Sequence, residues 1–425
     1  MMNNILIIWP KSKETVHINY HYTQFGEIID YLDRKVDDEI KVIDEDIQTE
    51  DVIQLIRENR ITKVIMHLNY ENVENGFKLG EEIKRKFQAI PIFAYGNVTL
   101  MLPDLFLESP FDVIHSDGDF EISIKSFLDS YKEELEWNIE NLRGSKVISE
   151  GKLYSTKPGE YIDEEEWGVS RENRVPIREY DKIKGKNRFV LNISRGCPFG
   201  CEHCLIQLTE GNRERRRSIQ NVRMALEAIG KNYRHIKIWA ANFTLNKRYV
   251  KEFCDLMKTH FSDITWECAT RIDLVQDFEL LKLMRESGCK QISIGVESLK
   301  NEELIGTKDF TEEEINRAIL NIQNAGIMVK CCIMLGMDGQ RRVDIIKTFD
   351  FLTSRKAIVR PTIYTPYHLL SGNVTLTNFS MYNRKTYKNS NLKDVQYSEL
   401  INLVNNPLNY SRILGMREQD DDESR

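Results

Sequence analysis

Short apolar runs alternate with amphipathic stretches in two parts of this chain, and a polar, turn-rich segment separates the parts. In the first part the runs fall at 5–9, 39–43, 63–68, 90–94 and 111–115, with helical spacing clearest at 51–60 and 76–87. Buried strands spaced by amphipathic helices predict an α/β fold with a doubly wound parallel sheet, whose ligands bind at the carboxyl ends of the strands. In the second part the runs fall at 189–193, 236–239, 264–269, 291–295, 328–335 and 362–365, again alternating with helical patterns. Chemistry in such a βα series is expected at the C-terminal strand ends.

These patterns predict a Rossmann-like domain over 1–131, a connector over 132–186, a βα barrel over 187–370 and a small α-rich region over 371–425. The connector carries one hairpin signal, at 147–154 around Glu150-Gly151. The end, 418–425, reads as a solvated acidic tail.

Composition narrows the classes. A chain of 425 residues buries a large core, and a net charge of −7 gives no footprint for nucleic acid or an anionic membrane. No apolar run reaches the ~20 residues of a membrane span. The start carries no cationic leader, so a cytoplasmic protein is expected, with no nucleic-acid or membrane partner.

Chemistry concentrates in Cys197-Pro-Phe-Gly-Cys201-Glu-His-Cys204, a C-x3-C-x2-C loop directly after a strand-like run. Three thiolates on one loop can hold three irons of a [4Fe–4S] cube, leaving the fourth iron open. Zinc is the competing reading, but its fourth ligand would be His203 on the same tight loop, a poor tetrahedral geometry. A disulfide framework finds no paired spacing among the other five cysteines.

The loop resembles that of the radical S-adenosylmethionine (SAM) enzymes, and the resemblance extends over residues 4 to about 370. It implies a partial (β/α)6 barrel in which Cys197, Cys201 and Cys204 bind the cluster and SAM chelates the open iron. It further implies that His203 offers a backbone contact to adenine. Trp239-Ala-Ala-Asn242 stands at the turn that contacts the SAM amino group, with Asn242 supplying an amide where a carboxylate would bind more strongly. Thr270-Arg271-Ile-Asp273 resembles a segment in which Arg271 pairs with the SAM carboxylate; a structural Arg271–Asp273 pair is the alternative. Gly295-Val-Glu297-Ser298 gives Glu297 to the SAM ribose or ammonium, and Leu335-Gly336-Met-Asp338-Gly339 brings the Gly336 backbone to adenine.

The first domain resembles the cobalamin-binding domain of one radical SAM subgroup. Its landmarks are Tyr95-Gly96-Asn97, Leu102-Pro103-Asp104 and the segment from Phe111 to Glu121. Tyr95, Asp104 and Asp119 depart from that pattern, so a functional cobalamin site and an empty scaffold both remain open. Asn69 and the Tyr95–Asn97 turn would cradle the corrin. The cobalt-binding histidine signature is absent, and His67 reads as a packed residue.

Elsewhere, the run Arg213 to Arg217 reads as a solvated helix start capped by Ser218. Cys331 and Cys332 adjoin on one strand, so alternation turns one inward as a potential hydrogen-atom donor; a packed small hydrophobe is the alternative for each. Cys254, Cys268 and Cys289 read as packing. The resemblance implies cobalamin-dependent methylation of an unactivated carbon or phosphinate in a peptide or small-molecule substrate, with flavodoxin or ferredoxin as reductant. A cobalamin-independent epimerase or rearrangement enzyme and a non-catalytic metal scaffold are the alternatives.

Overall fold

The first apolar run becomes strand β1 (Asn4–Trp9), five of whose six residues are buried. In this computed structural model the described residues are 4–13, 21–130, 138–184, 188–229, 233–299, 310–367, 374–382, 392 and 394–415. The acidic tail lies outside them. The chain forms two compact units. One comprises Met1–Pro198, Leu205–Tyr233 and Leu370–Ser380; the other comprises Phe199–Cys204, Arg234–Leu369 and Met381–Arg425. The first unit runs through the boundaries expected at 131 and 186, and one unit edge falls between Leu369 and Leu370.

In the first unit, β1 lies between β2 (Glu39–Asp44) and β3 (Lys63–His67), and β4 (Ile92–Tyr95) and β5 (Val113–His115) extend the parallel sheet beyond β3. The order 2-1-3-4-5 places the topological switch between β1 and β3, where doubly wound sheets bind ligands. The hairpin of β6 (Ser145–Ser149) and β7 (Lys152–Ser155) then adds antiparallel to β5. Its turn residues Glu150 and Gly151 both have positive φ, as a two-residue hairpin turn with right-handed strand twist requires. The segment expected to be a surface connector therefore supplies two strands of this sheet.

Helices Val52–Glu58 and Val73–Lys86 match the predicted stretches. Two more, His21–Asp33 and Phe120–Ser130, were not anticipated, although Phe25, Ile28, Ile29 and Leu32 are buried at helical spacing. The unit continues through β8 (Phe189–Asn192) and a short antiparallel ladder of β9 (Ser194–Arg195) and β10 (Arg215–Arg216).

In the second unit, five parallel strands pair in sequence order: β11 (His235–Trp239), β12 (Thr265–Thr270), β13 (Cys289–Glu297), β14 (Met328–Leu335) and β15 (Ile358–Ile363). A helix follows each of the first four, the right-hand partner of a parallel crossover. One face of the sheet is apolar and packs on the helices, as where Trp266 meets Phe253 of helix Lys247–His260 at a centroid distance of 5.2 Å. The other face carries half-buried Lys237, Ala269, Ser293, Gly295, Lys330 and Cys332. Strand β15 starts four residues before the predicted run at 362–365; Pro361, which reads as a breaker, sits within it where an edge strand can do without its N–H.

Candidate active site

The approach to the cysteine loop is fixed by backbone geometry. Gly196 has φ +81°, and a Cβ there would lie 2.2 Å from the Arg213 carbonyl oxygen, so only glycine fits. Gly200 is not among the positive-φ residues. Gly196 N–H donates to Glu210 Oε2 (3.0 Å), Cys197 N–H donates to the Gly211 carbonyl (3.1 Å), and Gln207 Nε2 donates to the Cys197 carbonyl (3.1 Å). In the second unit Cys201 N–H donates to the Phe199 carbonyl (3.1 Å) and Cys204 N–H to the Cys201 carbonyl (3.0 Å). None of the three cysteines is in a disulfide. Three soft sulfur donors within eight residues suit an iron–sulfur cluster.

Arg271 follows β12. Its Nε donates to Asp273 Oδ1 (2.9 Å), its guanidinium carbon lies 3.9 Å from the Phe199 ring centroid, and its Nη1 lies 3.9 Å from Cys201 Sγ. The alternative pairing with Asp273 is thus present, and Phe199 and Cys201 join it.

Glu297 ends β13 with φ +62°, a left-handed conformation uncommon outside glycine, just after a break in register at Gly295. His203 Nε2 comes to 3.9 Å from Glu297 Oε1, so two residues distant in sequence meet at one strand end. Asn242 is buried and opens a short helical turn, its carbonyl accepting from Leu245 N–H (3.1 Å). Beside it, the Thr244 hydroxyl bonds that of Thr270 (2.6 Å) and donates to the Leu274 carbonyl (2.9 Å), tying the loops after β11 and β12. Sequence reasoning missed this pair.

Two expected sites lie on β14 and in the turn after it. The Gly336 N–H donates to Gln340 Oε1 (2.8 Å), while Gln340 Nε2 donates to the Met334 carbonyl (3.1 Å). The turn's own side chain thus takes the Gly336 N–H, and Gln340, a polar residue directly after Asp338-Gly339, was overlooked. Cys331 is fully buried on the helix-facing side of β14, where burial pushes its thiol well up. Cys332 is half-buried on the opposite side, between Gly295 and Arg360 on the neighbouring strands. Of the two, Cys332 is the one on the face turned away from the helices.

At the carboxyl end of the first sheet, the side chain of Tyr95 is fully buried, its ring stacked on His67 with centroids 4.6 Å apart. Strand alternation turns it into the core, and only the Gly96–Asn97 backbone and the half-buried Asn69 and Asn97 remain at the rim. Asn69 Oδ1 accepts from Asn97 N–H (3.1 Å), and Gly96, at φ +129°, packs so closely that a Cβ would lie 2.3 Å from the Leu68 carbonyl oxygen. Below this rim, His67 Nδ1, the Tyr95 hydroxyl and His115 Nε2 are buried without a hydrogen-bond partner. His67 lies beneath Tyr95 as a packed residue, so this rim suits a corrin held without a protein imidazole.

The arginine run is solvated only at its start, Arg213. Ser218 Oγ does cap the helix, accepting from Asn221 N–H (3.0 Å), but Arg217 is 1% exposed. Arg217 donates to Glu27 Oε1 (2.8 Å) and to the Gly168 carbonyl (2.6 Å). Arg195 pairs with Glu27 (2.9 Å) and Glu121 (2.7 Å), and Arg215 with Asp119 (2.5 Å). Burial alone would raise the Asp119 carboxyl, but Arg195 and Arg215 hold it below the ordinary range. Buried carboxylates on the Rossmann side require these cations.

Residues 191–352 match the model of the radical SAM superfamily. The uncharacterized methyltransferase PH0819 of Pyrococcus horikoshii is 24% identical over 392 residues, 88% of this chain and 84% of that protein. The anaerobic magnesium-protoporphyrin IX monomethyl ester cyclase of Cereibacter sphaeroides is 24% identical over 57% of this chain and 41% of its own length. Among solved structures, the radical SAM methyltransferase TsrM of Kitasatospora setae, with cobalamin and a [4Fe–4S] cluster bound, superposes with a TM-score of 0.70. It is 14% identical, over 87% of this chain and 77% of that one. The cobalamin-dependent radical SAM enzyme OxsB, with aqua-cobalamin and SAM bound, gives 0.72 at 18% identity over 98% of this chain and 56% of that one. Residues 191–352 are thus similar to the radical SAM superfamily, and the chain shares its fold with TsrM and OxsB.

Proposed function

We propose that this chain is a cobalamin-dependent radical SAM methyltransferase. The observation that carries the reading is the C-x3-C-x2-C loop with Arg271 locked against Cys201, at the strand ends of a radical SAM domain. Cys197, Cys201 and Cys204 would hold the cluster, His203, Asn242, Glu297 and Arg271 would orient SAM, and Asn69, Gly96 and Asn97 would border the corrin. When bound, the cluster supplies the electron that cleaves SAM to a 5′-deoxyadenosyl radical, and cobalamin supplies methyl transfer. The chain's own part is orientation and exclusion of water. The strained Glu297 backbone supports a fixed carboxylate for a cationic or hydroxyl-bearing ligand. The substrate would be a peptide or natural-product precursor methylated at an unactivated carbon or phosphinate; the TsrM structure holds tryptophan as its substrate. A low-potential flavodoxin or ferredoxin would deliver the electron. Among the described residues no helix is long and apolar enough to cross a membrane.

Cys332 on the open face of β14 favours a second reading, a cobalamin-independent epimerase with that thiol as hydrogen donor. Anaerobic reconstitution with iron, sulfide and hydroxocobalamin, then SAM and dithionite, separates the two. About one retained corrin per chain together with 5′-deoxyadenosine supports the methyltransferase. Deoxyadenosine without retained corrin moves the assignment to the epimerase, and neither product rejects both.

A further inference from the structure

The guanidinium of Arg271 is held on one edge and one face. Asp273 takes Nε at 2.9 Å and Nη2 at 3.4 Å. The Phe199 ring covers a face, 3.9 Å from the guanidinium carbon to the centroid, and Phe310 stands farther off at 5.4 Å. Nη1 then points at Cys201 Sγ, 3.9 Å away, within reach of an N–H···S hydrogen bond. The side chain is 9% exposed, so water competes little for that edge. Phe199 lies two residues before Cys201, and the Cys201 N–H to Phe199 carbonyl bond closes the turn, so one short loop carries both the aromatic platform and the thiol. A guanidinium gripped and stacked in this way keeps its aim, which a lysine ammonium would not reproduce.

From this geometry we infer that Arg271 raises the reduction potential of the cluster by donating a hydrogen bond to the Cys201 thiolate, with Asp273 as the positioning residue that aims it. The inference rests on the cluster reading above and departs from a role confined to the SAM carboxylate. One-electron reduction adds a negative charge shared among iron, sulfide and thiolates. A cation donating to one thiolate stabilises the more negative form more, and hydrogen bonds to the sulfurs are among the factors that set such potentials. Loss of one charge-assisted bond in this sparsely hydrated place weakens reduction about tenfold, or ~59 mV for a one-electron couple.

The test is a redox titration of the reconstituted full chain without SAM, followed by the paramagnetic signal of the reduced cluster after iron and sulfide are counted. Arg271→Gln should carry a full cluster whose reduction equilibrium is about tenfold less favourable than in the parent. Asp273→Asn keeps the positive charge but frees the fork, and should shift the potential in the same direction by less. Full clusters with the parental potential in Arg271→Gln overturn the inference, even where SAM binds more weakly, because that result confines Arg271 to the SAM carboxylate. Where the glutamine variant holds no cluster, Asp273→Asn decides by the same criterion. A parent chain that takes up no iron rejects the cluster reading itself, a failure separate from this one.

Discussion

His67 and His115 are neutral, buried imidazoles, each held to about 3 by burial. An unfolded histidine titrates near 6.5, so below that pH the unfolded chain binds protons that the folded chain refuses. Stability falls as pH drops from 6.5 toward 3, by about 2 kcal/mol per imidazole at pH 5. Asp44, raised to about 7 chiefly by burial, has the opposite sign: it keeps its proton between about 4 and 7 and offsets roughly one imidazole. His67→Phe should therefore shrink the stability loss between pH 7.5 and pH 5 by about 2 kcal/mol, read from urea midpoints at both pH values. An unchanged difference would mean that the imidazole is protonated in place. On β14, Cys331→Ala should cost about 1–2 kcal/mol by emptying core volume, while Cys332→Ala should be near neutral by the same assay. At this scale the cysteine loop was legible because its chemistry lies in spacing alone. Tyr95 was misread because its place at a strand end says nothing of which way the pleat turns its ring. Arg217 was misread because Glu27, which neutralises it, lies far away in sequence.

Strands were legible where burial makes an uninterrupted apolar run, as in β1, β3 and β14, whose observed bounds lie within a residue or so of the expected ones. β15 was displaced because its exposed Ile358 and Arg360 and its Pro361 break the apolar run that a buried strand shows. Helix His21–Asp33 carried its periodicity in Phe25, Ile28, Ile29 and Leu32 and supplies Glu27, one anchor of the buried ionic network. That network ties together elements of the first unit that contribute no common strand: helices His21–Asp33 and Phe120–Ser130 through Glu27 and Glu121, and the β9–β10 ladder through Arg195 and Arg215. Arg195 and Arg217 also lie over the ring of Trp167, at 4.7 and 5.3 Å. Removing one partner of a buried set strands the opposite charge, which costs about 3–5 kcal/mol. Arg195→Ala should lower the thermal midpoint by several degrees or more, and pairing it with Glu121→Gln should recover part of the loss. Full additivity of the two substitutions, seen in the same thermal scans, would show that the charges do not interact.

Across the whole molecule, the two residue sets proposed for two cofactors separate by experiment. Asn69 and Asn97 share a hydrogen bond at the ends of β3 and β4. Replacing Cys197, Cys201 and Cys204 together by alanine removes every thiolate that could hold iron on that loop and leaves the Rossmann sheet untouched. The variant should bind no cluster and form no 5′-deoxyadenosine while retaining corrin at the parental level. The converse variant, Asn69→Ala with Asn97→Ala, frees the Asn97 N–H and strips the half-buried amides from the rim. It should keep its iron and still cleave SAM, yet release corrin on desalting. Because the substrate is open, the readouts are iron and corrin counts and deoxyadenosine, none of which needs a methylated product. Parallel loss of both cofactors in both variants would point to general unfolding, checked by far-ultraviolet circular dichroism. Retention of corrin by the asparagine variant would move the corrin site away from the ends of β3 and β4, leaving the cysteine assignment intact.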